Sequence, residues 1–435
     1  MRDAGRIAAA IEVLEAVVNR HAPVKTALRE WAKAHRFAGS GDRAWISGLV
    51  LDGLRRRAGA GFLFGEDTPR AMALGGLKLA WGWDAAAVDA AFEGDEHAPT
   101  ALSEAERAGF ERTLDDAPLH VRADIPDWLE DSFQRAFGDA AAEEGAGMAA
   151  RAPVDLRVNR IKTDPDKALA AVTAKLKAEP NALLTGAIRL PDTDPRAKAP
   201  PADAIPAYGK GWVEVQDLGS QLAALAAAPA SGLQVLDYCA GAGGKTLALA
   251  SLMENSGQIY AWDYDWRRLR AIWPRLKRAG ARNVQVRDGK RDEALGDLKT
   301  KCDVVFCDAP CSGSGTWRRR PDSKWRLRAE ALKRRMAEQD DVLAKASAYV
   351  KPGGRLIYVT CSVLPEENED RVAAFLEGGA PFEPRPVLDA IKASDHLTDA
   401  GEAALKTCEG RFGAVQLTPH RAGTDGFYVC VLEKV

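Results

Sequence analysis

Two cysteines stand where predicted strands end: Cys311 in Asp308-Ala309-Pro310-Cys311-Ser312-Gly313, and Cys361 in Val359-Thr360-Cys361-Ser362. Each follows an apolar run, Val304 to Cys307 and Leu356 to Val359, that reads as a buried strand of a parallel sheet. Ligands of such sheets bind beyond the carboxyl ends of the strands, so two thiols at that edge imply nucleophilic chemistry with two cysteine roles. Residue types alone do not order the two. Pro310 restricts Ala309 toward extended conformations, which helps aim the thiol that follows. Cys239, Cys302, Cys307, Cys408 and Cys430 read instead as small buried hydrophobes.

A glycine-rich turn follows a third strand in Val235-Leu236-Asp237-Tyr238-Cys239-Ala240-Gly241-Ala242-Gly243-Gly244-Lys245-Thr246. Glycines allow a tight turn and close approach of the backbone to a ligand, and the free N–H groups of a helix start attract anions. A P-loop would share Gly244-Lys245-Thr246, and Val304 to Asp308 mimics its acidic strand, but Cys239 stands where the first glycine is required. A dinucleotide fingerprint fails at Thr246, where its third glycine belongs. The remaining reading is S-adenosylmethionine. Asp263, after Tyr260-Ala261-Trp262, is placed to accept from both ribose hydroxyls, and Asp288 to face the adenine amine. The alternative for Asp263 is a helix cap. The expected cofactor-binding set is Cys239, Ala240, Gly241, Ala242, Gly243, Gly244, Lys245, Asp263, Arg268, Asp288 and Asp308.

The elements that would position these groups fall into three blocks. Residues 1–144 read as a helical module, with Ile7, Ile11, Leu14 and Val18, then Ile46, Leu49, Val50 and Leu54, at helical spacing. Its arginines Arg36, Arg43, Arg55, Arg56 and Arg57 are either a solvated surface or an RNA-facing one. The Ala, Glu and Gly of residues 138–151 suggest a flexible join. Residues 145–211 hold an alternating strand from Val154 to Asn159, a helix from Asp166 to Leu176 and a proline-rich stretch from Pro180 to Pro206, a small α+β subdomain. From residue 212 to 435, strands at Gln234–Asp237, Gln258–Asp263, Val284–Val286, Asp303–Asp308, Arg355–Cys361 and Phe427–Leu432 alternate with helices, the pattern of a doubly wound α/β sheet.

With 435 residues and 46% hydrophobic content the chain can build two or three domains. No apolar run reaches the roughly 18 residues a membrane span needs, and Met1-Arg2-Asp3-Ala4-Gly5-Arg6 lacks a signal-peptide core, so a cytoplasmic protein without a membrane partner is expected. Seven cysteines without a C-x-x-C pair fit neither a disulfide framework nor a zinc site; no metal is expected. The net charge of -2 hides a basic run between Trp317 and Arg335. Arg318, Arg319, Arg320, Lys324, Arg326, Arg328, Lys333, Arg334 and Arg335 there could neutralise phosphates, a solvated helix face being the alternative; Trp317 and Trp325 are interleaved to stack bases, with core packing equally open for Trp325.

The motifs Asp308 to Gly315, Thr360-Cys361-Ser362-Val363-Leu364-Pro365-Glu366-Glu367-Asn368-Glu369 and Asp237 to Thr246 together resemble the NOL1/NOP2/Sun family of RNA cytosine-5 methyltransferases. The amino-terminal helices resemble the NusB-like module of its bacterial Sun-type branch, which acts on 16S ribosomal RNA, and Val154 to Asn159 resembles the start of its RRM-like subdomain. The resemblance implies a class I S-adenosylmethionine-dependent methyltransferase with a seven-stranded Rossmann-like sheet. It implies Cys361 as nucleophile on cytosine carbon 6, Cys311 in proton removal and product release, Asp308 on the base, and Lys245 on the base or on Asp308. Expected partners are RNA, above all ribosomal RNA or an assembling ribosomal subunit; transfer RNA, or a non-catalytic ribosome-assembly role, is the alternative. The family commonly has Ala-Pro-Gly-Gly-Lys where this chain has Gly241-Ala242-Gly243-Gly244-Lys245; the glycines remain, so cofactor binding is expected to survive.

Overall fold

The computed structural model describes residues 1–191, 194, 196 and 201–435. It separates into two compact units. The first, built on Met1–Ala152 together with Trp317–Leu327, is helical. Helix Asp3–Val18 buries Ile7, Val13 and Leu14, and helix Ser40–Arg55 buries Ile46, Leu49, Val50 and Leu54, the periodic positions of the sequence. Residues 138–151 are not a flexible join. They contain the helix Ala141–Met148, with Ala141, Glu144, Gly145 and Met148 buried. The small residues there serve close packing: a side chain on Gly145 would begin 2.4 Å from Ala123 Cβ.

Trp317–Leu327 is a second departure from expectation. Trp317 is 1% exposed and stacks on Phe133, and Trp325 Nε1 donates to the Leu54 carbonyl at 2.6 Å. Arg55 Nε donates to the Arg318 carbonyl at 2.8 Å, while its Nη1 holds Asp52 at 2.5 Å. Lys324 is buried, donating to the carbonyls of Arg55 and Asp124, and burial pushes its pKa down to about 7. Trp317, Arg318, Lys324 and Arg55 are therefore buried in the helical unit rather than part of an RNA platform, and Trp325, partly buried, packs against the same core, one of its two expected readings. Lys333 and Arg334, on helix Ala329–Ala346, do remain exposed.

The second unit carries two sheets. In the smaller, β1 (Val154–Val158), β2 (Glu179–Pro180), β3 (Ala187–Leu190) and β4 (Val213–Val215) lie in the order β2-β3-β1-β4 with helix Pro165–Thr173, so the proline-rich stretch supplies strand as well as loop. Part of that stretch falls outside the described residues.

The larger sheet comprises β5 (Gln234–Asp237), β6 (Gln258–Ala261), β7 (Val284–Val286), β8 (Cys302–Asp308), β9 (Val350–Thr360), β10 (Phe382–Arg385), β11 (Val415–Leu417) and β12 (Phe427–Lys434). Its order is β7-β6-β5-β8-β9-β12-β10, and β11 pairs with the first part of β12 on the edge where β10 pairs with the last. Pairing is parallel from β7 through β9, whereas β12 runs antiparallel to β9. This reversed penultimate strand is the arrangement of class I methyltransferases, with β11 as an eighth strand beyond the seven expected. The chain goes from β5 out to β6 and β7 and returns through β8 on the other side, so the crevice lies beyond Asp237 and Asp308.

Candidate active site

β8 and β9 are neighbours in parallel register, Asp308 opposite Val359, and both leave the sheet at the same edge. Ala309 N still donates to the Val359 carbonyl at 2.8 Å, after which Pro310 turns the chain away. That register brings the Cys311 and Cys361 sulfurs to 3.3 Å. The hydrogen bond to Cys361, burial and the negative charges of Glu367 and Asp308 hold the Cys311 thiol well above the usual cysteine range, so Cys311 keeps its proton at rest. Burial also pushes up Cys239 and Cys307, consistent with inert thiols.

Lys245 is the second residue of helix Gly244–Leu252 and donates to Asp308 Oδ2 at 2.7 Å, with its ammonium 5.1 Å from the Phe427 ring centre. Burial works against this ammonium, but Asp308, and less strongly Cys361 and Asp237, raise its pKa above the ordinary lysine value. Lys245 thus stays charged, and Cys361 lies within its field. Thr246 Oγ1 donates to Asp237 Oδ2 at 2.6 Å. With Lys245 and Thr246 both turned toward carboxylates, the two side chains a P-loop would offer to a triphosphate and its metal are engaged elsewhere.

The glycine turn closes through Gly243 N to the Ala240 carbonyl at 2.8 Å, with Gly241 and Gly243 at φ 50° and 83°. Asp263 is buried two residues past β6: its Oδ2 accepts from Gly241 N and its Oδ1 from Asp265 N, both at 2.7 Å. It therefore braces the turn. Arg268 reaches over Gly241, its Nη2 3.2 Å from where a side chain would start. Asp288 is exposed, two residues past β7, and the next carbonyl, that of Gly289, accepts from Trp262 Nε1 at 3.2 Å. Asp237 was missing from the sequence-derived set. It is buried, its Oδ1 has no partner, and burial pushes its pKa up to about 7. An unpartnered buried acceptor behind an open glycine turn and helix start fits a ligand with an amino group, as the methionine end of S-adenosylmethionine has.

Glu367, Asn368 and Gln339 were also missed. Ser312 donates from N to Glu367 Oε1 at 2.7 Å and from Oγ to Oε2 at 2.5 Å, and Gln339 Nε2 donates to Glu367 Oε1 at 3.1 Å and to the Pro310 carbonyl at 2.9 Å. Thr360 Oγ1 donates to Asn368 Oδ1 at 2.6 Å, and Asn368 Nδ2 to the Ser362 carbonyl at 3.1 Å. Both residues sat inside a quoted motif, but only burial shows what they hold.

Two family models match: "16S rRNA methyltransferase RsmB/F" over residues 224–433, and the "Methyltr_RsmF/B-like, ferredoxin-like domain" over residues 125–195. The chain belongs to the NOL1/NOP2/Sun family. Among curated relatives of this family, Ribosomal RNA small subunit methyltransferase B of Photorhabdus laumondii is 32% identical over 311 residues, 71% of this chain and 66% of the relative. The protein of the same name from Enterobacter sp. is 36% identical over 255 residues, 58% of each. The chain thus matches about 58–66% of the length of these relatives. A solved methyltransferase homolog from Pyrococcus horikoshii is 26% identical with a TM-score of 0.56, covering 73% of this chain and 98% of its own. The structure titled NSun6 from Pyrococcus horikoshii with SFG has a TM-score of 0.60 at 21% identity, covering 71% and 98%, a likeness of fold. Among the described residues, no helix is long and apolar enough to cross a membrane.

Proposed function

We propose that this chain is an S-adenosylmethionine-dependent methyltransferase that forms 5-methylcytosine in ribosomal RNA, in the cytoplasm, through a covalent cysteine adduct. The observation that carries the reading is the pair of thiols 3.3 Å apart at the sheet edge, beside the Lys245–Asp308 ion pair. Carbon 5 of cytosine is too weakly nucleophilic to take a methyl group directly, and addition of a thiolate to carbon 6 makes it enamine-like. As the family resemblance implies, Cys361 is the attacking sulfur, and the Lys245 ammonium, paired with Asp308, lies within electrostatic reach of it. Asp308 accepts from the exocyclic amine of the base, which selects cytosine over uracil, and Lys245 fixes the orientation of that carboxylate. S-adenosylmethionine supplies the methyl group; the turn from Cys239 to Lys245, with Asp263, Arg268 and Asp237, would hold it, and Asp288 is the outer candidate. Release needs loss of the carbon 5 proton and cleavage of the sulfur–carbon 6 bond; the resemblance gives this step to Cys311, which can take that proton only as a thiolate, after Cys361 is bonded to carbon 6 and no longer raises it.

The test uses purified protein, labelled S-adenosylmethionine, and either free 16S ribosomal RNA or small ribosomal subunits, with bisulfite sequencing of RNA from cells lacking the gene. One cytosine that takes label in vitro and loses bisulfite protection in those cells supports the reading. Label in transfer RNA alone, or no transfer at all, contradicts it.

A further inference from the structure

Glu367 and Asn368 are adjacent in sequence, yet they grip different loops. Glu367 holds Ser312, which follows Cys311, by both its N–H and its hydroxyl, and Gln339 carries the same network to the Pro310 carbonyl on the other side of Cys311. Asn368 holds the Thr360 side chain and the Ser362 carbonyl, the residues on either side of Cys361. The two loops are also tied directly, Ser314 Oγ to Ser362 Oγ at 2.9 Å and Val363 N to Ser314 Oγ at 2.9 Å. Glu367, Asn368, Gln339 and Ser362 are all buried. A buried carboxylate without a cationic partner costs several kcal/mol unless neutral donors surround it, and an apolar side chain would fill the space without that cost. Its presence between the two cysteine loops calls for a task there.

We propose that Glu367 and Asn368 are positioning residues that together hold Cys311 and Cys361 at their reacting separation, Glu367 through the loop of Cys311 and Asn368 through the turn of Cys361. The inference rests on the two-thiol reading above. Glu367 acts electrostatically as well: burial raises its own pKa against the donors that surround it, and its ionised carboxylate opposes ionisation of Cys311.

The experiment uses the full chain. In a Cys361→Ser background, alkylation of Cys311 by iodoacetamide is followed by mass spectrometry across pH for Glu367, Glu367→Gln and Glu367→Asp. Removing the charge should speed alkylation near neutral pH by about tenfold, the equivalent of one pKa unit, whereas Glu367→Asp should stay close to its parent. In the otherwise unaltered enzyme, Asn368→Ala should lower kcat by about tenfold or more and leave KM for RNA within about twofold, because the side chain acts on the nucleophile rather than on binding. Superimposed alkylation profiles for Glu367→Gln and its parent, or an Asn368→Ala enzyme with parental kcat, would overturn the inference. The alkylation arm needs neither RNA nor a methyl donor, so it still answers if the proposed reaction fails.

Discussion

Lys245 bears more than one demand: it neutralises Asp308, sits within reach of Cys361 electrostatically, and stays protonated because those negative groups outweigh its burial. Lys245→Met keeps the length and loses the charge. The methyl-transfer step should then slow by about 100-fold or more, because an unpaired Asp308 and the loss of a positive charge beside the reacting sulfur both act against it. Single-turnover kinetics at saturating RNA would measure this, and a loss confined to KM would speak against the role. The clustering of Cys311, Cys361, Asp308 and Lys245 was legible because each follows an apolar run or a glycine turn, and such local patterns survive in one dimension. Glu367 was not. A glutamate in a polar motif reads as surface, and only the packing of helix Ala329–Ala346 and the Cys311 loop around it makes it a buried acceptor.

Among the elements, the glycine turn is the most constrained. Gly243 sits at φ 83°, and a side chain there would begin 2.3 Å from Ile272 Cγ1. Gly243→Ala should cost about 1–3 kcal/mol in chemical denaturation and weaken S-adenosylmethionine binding in calorimetry, since the backbone that approaches the ligand must move. Asp237, at the end of β5, gives the unit a pH dependence. Its pKa rises from about 3.8 unfolded to about 7 folded, so the stability contributed by its neutral form is fully present below 3.8 and is lost as pH rises through 7. Asn mimics the neutral acid. Asp237→Asn should therefore gain on the parent progressively from pH 4 to 7 and hold a constant advantage of about 1–4 kcal/mol above that, read from melting curves across pH. Strands β5, β8, β9 and β12 were legible as runs of Val, Ile and Leu, buried on both faces. β10 and β11 were not: Glu383, Pro384 and Arg385 in one and Gln416 in the other give edge strands no apolar signal.

At the scale of the whole molecule, the basic run after Cys311 shows how charge can mislead. Nine basic residues in nineteen suggested a phosphate-binding loop, yet Trp317–Leu327 folds into the helical unit. Its partners lie far back in the chain: Arg318 meets Arg55, and Lys324 meets Arg55 and Asp124. No local pattern records a contact across 200 residues or more. Trp317→Ala should destabilise the helical unit by about 3–5 kcal/mol, the usual cost of emptying a buried aromatic site. A denaturation midpoint close to the parent's would show that Trp317 lies instead where the sequence first suggested, facing solvent or RNA.

The most direct test of the two-thiol account is denaturing electrophoresis of Cys361→Ala and Cys311→Ala after incubation with S-adenosylmethionine and 16S ribosomal RNA. Cys311→Ala should accumulate a protein–RNA adduct that survives denaturation, because attack proceeds and release does not, while Cys361→Ala should form none. An adduct that persists in Cys361→Ala and vanishes in Cys311→Ala would reverse the roles of the two cysteines.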